Sequence, residues 1–297
     1  MSLEFMVPFY GDPGLLKETV ASVQAQTDGD WRLTVVDDGY PDDSIPGWFA
    51  TLGDERIRYL RNETNLGANK NYEKCLSLAT ADDVTVLGAD DLLRPNYVSV
   101  LREARRRFPD AAVIQPGVEV VDEHGRPAHS LADRVKRVYA PRTDGPVELS
   151  GEDVAASLLK GNWLYFPALC FSVAKVREVG FREGLNVVQD LALVMDLLQR
   201  GESLVVDPTV CFAYRRHSSS DSSWRALEGT RFVEEREYFL TVAGELQARG
   251  WSRAARAARL HVSSRLHALT YLPAAVRQRH RVGMRNLSRH VFGGVGH

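Results

Sequence analysis

The chain is 297 residues long, 44% hydrophobic, and carries a net charge of −2. That is enough apolar material for a full core, in one large domain or two smaller ones. Near-balanced charge excludes a nucleic-acid partner recruited by bulk charge, and Cys75, Cys170 and Cys211, far apart and without a CxxC spacing, speak against a zinc site.

Leu3–Phe9 reads as a short apolar strand. Asp12-Pro13 supplies an N-cap and a first-turn proline for a helix whose Leu16, Val20 and Val23 share one face. Arg32–Val36 and Ile57–Leu60 are the next strands, and Ala68, Tyr72, Cys75, Leu76 and Ala79 trace a second amphipathic helix. Val84–Leu87 is a strand that runs into Asp90-Asp91. Pro95 opens a helix carrying Val98, Leu101, Ala104 and Phe108, and Ala111–Gln115 follows as a strand. Strand and helix thus alternate through residue 115, which predicts an α/β fold with a mostly parallel sheet and helices on both faces.

Beyond residue 115 the rhythm changes. Val118–Asp122 followed by Glu123-His124-Gly125-Arg126 predicts a hairpin with a glycine turn. Residues 128–150 are polar and contain prolines, and read as a long connection. Ala168–Val173 is a strand, Asp190–Arg200 a helix capped by Asp190 and stopped by Gly201, and Ser203–Val206 and Val210–Tyr214 are two short strands. From about Trp224 the pattern is helical, with a break at Pro273. The chain therefore divides into a sheet domain over residues 1–223, with halves 1–115 and 116–223, and a helical extension over 224–297.

No signal peptide is expected, because Glu4 and Pro8 interrupt the first segment, and no uncharged apolar stretch approaches ~18 residues. A cytoplasmic location follows, and the preference for Ala and Arg over Ile and Lys suggests a bacterial composition. The extension is lopsided. Leu246 to His297 holds no Asp or Glu, yet includes Arg249, Arg253, Arg256, Arg259, Arg265, Arg277, Arg279, Arg281, Arg285 and Arg289. It reads either as a solvated helical face or as a surface for anionic lipid or an acidic partner at the inner face of the membrane.

Chemistry-bearing residues gather at strand ends. Val7-Pro8-Phe9-Tyr10 offers backbone groups and an aromatic to a flat base, or is a plain strand terminus. Asp38, in Asp37-Asp38-Gly39, can accept the imide N–H of uracil or thymine, or serve a turn. In Asn65-Leu66-Gly67-Ala68-Asn69-Lys70, glycine lets the backbone approach a ligand, and Lys70 in the first helical turn can meet phosphate. The adjacent carboxylates of Asp90 and Asp91 repel, so they either suggest a compensating hard divalent cation or form a solvated turn before Pro95. Asp190 can be a cap or a general base. Arg215, Arg216 and His217 offer cations and an imidazole to a leaving diphosphate or a metal. Trp163, Tyr165 and Phe166 form either a stacking platform for a sugar ring or a buried apolar patch.

Seven stretches in this order resemble a family 2 glycosyltransferase of the GT-A fold: Met6–Tyr10, Ser22–Thr27, Thr34–Gly39, Asn65–Gly67, Leu87–Asp91, Val188–Asp190 and Tyr214–His217. The resemblance covers residues 5–220. It implies an inverting, metal-dependent transfer from a nucleotide-diphosphate sugar, UDP or dTDP favoured, to a hydroxyl of a glycan, a lipid-linked sugar or a small molecule. Pro8, Phe9, Tyr10 and Asp38 would then hold the base, with Asn65 and Lys70 on the nucleotide. Asp90 would contact the ribose or the metal, Asp91 would ligate the metal, Mg²⁺ or Mn²⁺, and Arg215 and His217 would close on the diphosphate. Asp190 matches the catalytic base. Two departures stand out: Gly88 replaces the first carboxylate of the family's Asp-x-Asp-Asp, and Gln189 replaces the Glu that often precedes the base. The competing readings are a non-catalytic nucleotide-sugar-binding protein on the same fold and a sugar-nucleotide pyrophosphorylase. The latter is disfavoured because Tyr10-Gly11-Asp12-Pro13 lacks the cations of a phosphate loop.

Overall fold

The computed structural model describes residues 2–128, 130–216 and 228–293. Its first half is built from parallel strands β1 (Leu3–Phe9), β2 (Trp31–Asp37), β3 (Ile57–Arg61) and β4 (Asp83–Val86). Helices α1 (Pro13–Gln24), α2 (Ser44–Thr51) and α3 (Ala68–Leu78) connect them. As expected, the Asp12 side chain caps α1, accepting from Gly14 N–H at 2.6 Å. The short β5 (Leu92–Leu93), α4 (Tyr97–Arg107) and the long β6 (Val113–Val121) follow. Next come α5 (Leu131–Tyr139), β7 (Val147–Ser150), α6 (Gly151–Lys160), β8 (Cys170–Ser172), α7 (Val173–Val179), α8 (Gln189–Gln199) and β9 (Ser203–Arg215). Four helices close the described chain: α9 (Thr230–Ala248), α10 (Ser252–Leu260), α11 (Val262–Arg277) and α12 (Arg281–Phe292).

The strands form one nine-stranded sheet in the order β3-β2-β1-β4-β8-β6-β9-β5, with β7 alongside the first part of β9. β8 is antiparallel to both β4 and β6, so β4 and β6 point the same way, and their tips, with those of β1, β2 and β9, end at one edge. Side chains alternate across this sheet. Phe5, Val7, Leu33, Val35 and Ile114 pack on one face with α1 and α4. Met6, Val84, Val86 and Phe171 pack on the other with α6, α8 and α9. Burial on both faces explains why these strands read as continuous apolar runs. Each large apolar side chain so buried contributes roughly 1.5–3 kcal/mol.

Several local expectations are corrected. Residues 128–150 are not a structureless connection. They hold α5, with a capping box between Ser130 and Asp133, and the edge strand β7. The two strands expected over 203–214 are one, and those expected over 111–115 and 118–122 merge into β6. Gly117 permits the merger: a Cβ there would stand 2.6 Å from the Pro208 carbonyl oxygen of the paired strand. Pro273 does not break the extension but lies inside α11, next to the exposed Leu269 and Val276. On that solvated face the hydrogen bond that proline removes is replaceable by water. Finally, Val188, not Asp190, is the N-cap of α8. The expected boundary at 223/224 and the helical start at Trp224 lie outside the described residues.

Candidate active site

At the tips of β1 and β2 the chain assembles a buried polar anchor. Asp38 donates its N–H to the Phe9 carbonyl at 2.8 Å. Its carboxylate accepts from Asn62 Nδ2 at 2.7 Å, from Leu66 N–H at 2.8 Å and from Gly67 N–H at 2.9 Å. Three of roughly four lone-pair directions are thus spent on the 62–67 segment, and Asp38 is only 2% exposed. Asp38 therefore shapes the Asn65-Leu66-Gly67 loop before it can touch a base. Phe9 is fully buried, its ring 5.4 Å from that of Tyr40, whereas Tyr10 is 57% exposed and stands edge-on to Tyr40. Pro8 is half-buried, and Asn65 and Lys70 are exposed. Asn62, Asn71 and Lys74 complete the anchor: Asn71 donates to the Val36 carbonyl and Lys74 to Asn62 Oδ1. Sequence reading passed over these three, because single amides on a helix or strand end carry no pattern of their own.

Past the end of β4, the carboxylates of Asp90 and Asp91 fold back over Gly88. A Cβ at position 88 would sit 2.5 Å from Asp91 Oδ2 and 3.1 Å from Asp90 Oδ1. The departure from Asp-x-Asp-Asp has a physical meaning here: glycine leaves room for two carboxylates that a side chain would displace. Asp91 is 1% exposed, and its other oxygen accepts the Arg215 N–H at 2.8 Å. Burial, reinforced by the neighbouring charge of Asp90, pushes its carboxyl well above the ordinary range. Two carboxylates this close repel, which favours a cation beside them. Among the described residues no third His, Cys, Asp or Glu joins the pair. Mg²⁺ is commonly held by one or two carboxylates, with substrate phosphate and water completing its shell. His217 lies outside the described residues.

Arg215 and Arg216, adjacent at the end of β9, face opposite ways, as strand alternation requires. The Arg215 guanidinium is buried against Glu18, at 2.5 Å, and the Glu123 carbonyl, at 3.1 Å. Its side chain is thereby committed to α1, and what it offers the site is its backbone N–H to Asp91. Arg216 instead forks onto Asp133 with contacts of 3.0 and 2.6 Å. Asp133 also accepts from Tyr165 Oη at 3.0 Å. Burial works to raise the Asp133 carboxyl, but the bonds from Arg216 and Ser130 outweigh it and hold it at about 2. The Tyr214 ring packs 5.3 Å from Tyr165. Burial and the charges of Asp91 and Asp90 push the Tyr214 hydroxyl up to about 12.

Asp190 sits in the first turn of α8, its Oδ1 on Leu191 N–H at 2.7 Å and its Oδ2 near Asn162 at 3.4 Å. Burial raises its carboxyl despite the opposing charges of Lys136 and Arg231. Lys136, over the Tyr165 ring at 4.2 Å and bonded to the Leu164 carbonyl, is lowered by burial to about 8. A chain of contacts links the two carboxylate groups: Arg215 N–H meets Asp91, its neighbour Arg216 holds Asp133, Asp133 accepts from Tyr165, and Lys136, over the Tyr165 ring, leads through Leu164 and Asn162 to Asp190 in one basin. Glu234 of α9 holds the turn that leads into α8. It accepts from Asn186, Val187 and Val188 N–H at 2.8, 2.6 and 3.2 Å. Glu234, Arg231, Asp133 and Lys136 were invisible as site residues in the sequence, since they come from a presumed loop and a presumed tail.

The aromatic trio splits. Trp163 is 3% exposed and bonds Ser157 through its indole N–H at 3.2 Å, so it is core and offers no face to a sugar. Phe166 packs with Tyr72, Phe171 and Phe181. Tyr165 alone belongs to the charged basin. A cavity of about 780 Å³ opens beside the start of α8, with Lys70, Asn186, Gln189 and Arg231 in its wall.

A model of the family described as glycosyl transferase family 2 matches residues 5–155. An uncharacterized protein of Mycobacterium tuberculosis is 27% identical over 79% of this chain and 73% of its own length. The succinoglycan biosynthesis protein ExoO of Rhizobium meliloti is 23% identical over 73% and 62% respectively. The chain spans only 23% of an uncharacterized Sinorhizobium fredii relative and 35% of an uncharacterized glycosyltransferase of Rickettsia conorii. Among solved structures, S. aureus TarS residues 1–349 in complex with UDP-GlcNAc superposes with a TM-score of 0.59 at 14% identity, covering 97% of this chain and 91% of that one. This likeness is one of fold, and it agrees with the mixed, mostly parallel sheet and its C-terminal helices. The expected seven-stretch resemblance and the matched model concur: this chain belongs to glycosyl transferase family 2 and is a glycosyltransferase.

Proposed function

We propose that the protein transfers a sugar, with inversion, from a nucleotide-diphosphate sugar to an acceptor hydroxyl in bacterial polysaccharide synthesis. The observation that carries this reading is Asp190, a half-buried carboxylate with a raised pKa in the same basin as the Asp90–Asp91 pair. A general base works best when its pKa approaches the working pH. Asp190 accepts the acceptor's proton as that oxygen bonds to the anomeric carbon, and the C–O bond to the diphosphate breaks with its electrons leaving on phosphate oxygen. The positive charges of Lys136 and Arg231 favour the ionised form of Asp190 against the effect of its burial. Asp90 and Asp91 are the residues to hold Mg²⁺ or Mn²⁺, and the ion, when bound, neutralises charge on the departing diphosphate.

The exposed Tyr10 and the half-buried Tyr40 are the aromatic rim for the base, with the Asp38-anchored loop behind them. Lys70, in the first turn of α3, is placed for phosphate. UDP is the favoured nucleotide, since TarS is described in complex with UDP-GlcNAc, and dTDP offers the same imide edge. The link of ExoO to succinoglycan supports a glycan acceptor, and the cavity beside Asp190 has the size for one. Thermal shift against nucleotide diphosphates with and without Mn²⁺, followed by radiolabelled sugar transfer, tests this. Stabilisation by UDP or dTDP that needs the metal is expected. Stabilisation that ignores EDTA would reject the metal assignment, and transfer untouched in Asp190→Asn would reject the base.

A further inference from the structure

We infer that the turn joining α11 and α12 is a docking surface for a bilayer rich in anionic phospholipid. The segment reads Val276-Arg277-Gln278-Arg279-His280-Arg281-Val282. Val276 is 58% and Val282 60% exposed, and Arg277, Arg279 and Arg281 are exposed between them. Two apolar side chains bracketing three guanidiniums at a helical tip is the arrangement an interface favours: short hydrocarbon contacts at acyl depth, cations at phosphate depth.

The helices behind the tip continue the pattern. On α11, Val262, Leu266, Leu269 and Val276 recur at helical spacing on one stripe, and their exposures run from 43 to 58%. On α12 the spacing of Val282, Arg285, Arg289 and Phe292 sets apolar ends and basic middle on one face, with Phe292 73% exposed. The opposite faces are already satisfied, since Ala268, Ala275 and Leu287 pack with Phe232. Core formation therefore does not account for the outer stripes. Among the described residues, more than half of the large apolar side chains that stand exposed lie in residues 260–292. Exposed apolar side chains gathered this way mark an interaction surface.

Charge selects the occupant. No acidic residue occurs from 246 to 297, so neither helix of the tip carries a carboxylate to repel phosphate, and an anionic lipid is its electrostatic complement. No described helix is long and apolar enough to cross a membrane, so the contact is peripheral. The inference is independent of the proposed donor and acceptor.

Co-sedimentation of the full chain with phosphatidylglycerol-containing vesicles and with neutral phosphatidylcholine vesicles tests it. Binding at least tenfold tighter to the anionic vesicles, and weakened by 1 M salt, is expected. Arg277→Glu/Arg279→Glu/Arg281→Glu should lower the bound fraction at least tenfold, and Val276→Ser/Val282→Ser several-fold, both with unchanged melting temperature because these side chains are exposed. Equal binding to both vesicle types, no binding, or binding indifferent to both variants would overturn the proposal. So would a stable dimer in sedimentation velocity that Val276→Ser/Val282→Ser dissociates, which would assign the face to a second copy of the chain.

Discussion

The basin around Asp190 and the α11–α12 hairpin are both crowded with charge, and they treat it in opposite ways. In the basin, carboxylates and cations are buried, interlocked and shifted: Asp91 and Asp190 upward, Lys136 down to about 8, Asp133 down to about 2. On the hairpin, Arg277, Arg279 and Arg281 stand in water. Burying a charge is expensive unless it is compensated, so the basin's charges are each held by a specific partner. A solvated arginine costs little, and only its pattern carries meaning. Single substitutions should therefore be drastic in the basin and mild on the hairpin, where several must change together.

The sharpest break is Asp190→Asn. Loss of a general base lowers turnover by about 10²–10⁴-fold, and kcat in a radiolabelled transfer assay should fall by that amount while UDP affinity holds. Glu234→Ala comes next. It removes the acceptor for three N–H groups at the start of α8, and small misplacements of a reacting group cost up to about 10²-fold. Here kcat should drop about ten- to a hundredfold with little change in KM for the donor. Gly88→Ala places a Cβ on the Asp91 carboxylate. Mn²⁺-dependent UDP binding, measured calorimetrically, should weaken about tenfold, reflecting the roughly 1.4 kcal/mol that such a factor represents.

Lys136→Met sharpens the picture with pH. Activity should rise as Asp190 loses its proton, at a pH above the ordinary carboxylate value near ~3.9, and fall as Lys136 deprotonates at about 8. The variant should lose the alkaline limb, and its acid limb should move to higher pH, because the Lys136 charge opposes the rise of the Asp190 carboxyl. The smallest effect belongs to stability. His290, buried in the helical extension and held to about 4 by burial and by the neighbouring His261, has a folded pKa below its unfolded value of ~6.5. Its stabilising contribution is complete above ~6.5 and is lost as pH falls toward about 4. Thermal melts should show a downward drift over that window, reduced in His290→Gln.

Much of the architecture was legible because local patterns and global fold agree. The alternation of β1 to β4 with their helices, the Asp12 cap and the strand-end Asp90-Asp91 all follow from apolar period and cap chemistry. So did family membership, which rests on the order of short strand-end motifs. Strand and loop limits after residue 115 were less readable. α5 looked like a polar connection because it is short and four of its nine residues are charged, and Gly117 and Pro208 made single strands look like two.

By itself, the sequence determined which elements form and which carboxylates end up at strand tips, because period, caps and glycines act within a few residues. Only the tertiary structure decided who partners whom. Asp38 came to hold the 62–67 loop, Arg215 turned toward Glu18 while Arg216 took Asp133, and a helix thought to be an appendage supplied Glu234 to the turn before α8 and the charge of Arg231 to Asp190. Those outcomes depend on contacts between residues far apart in the chain, and burial then sets the charge each group carries.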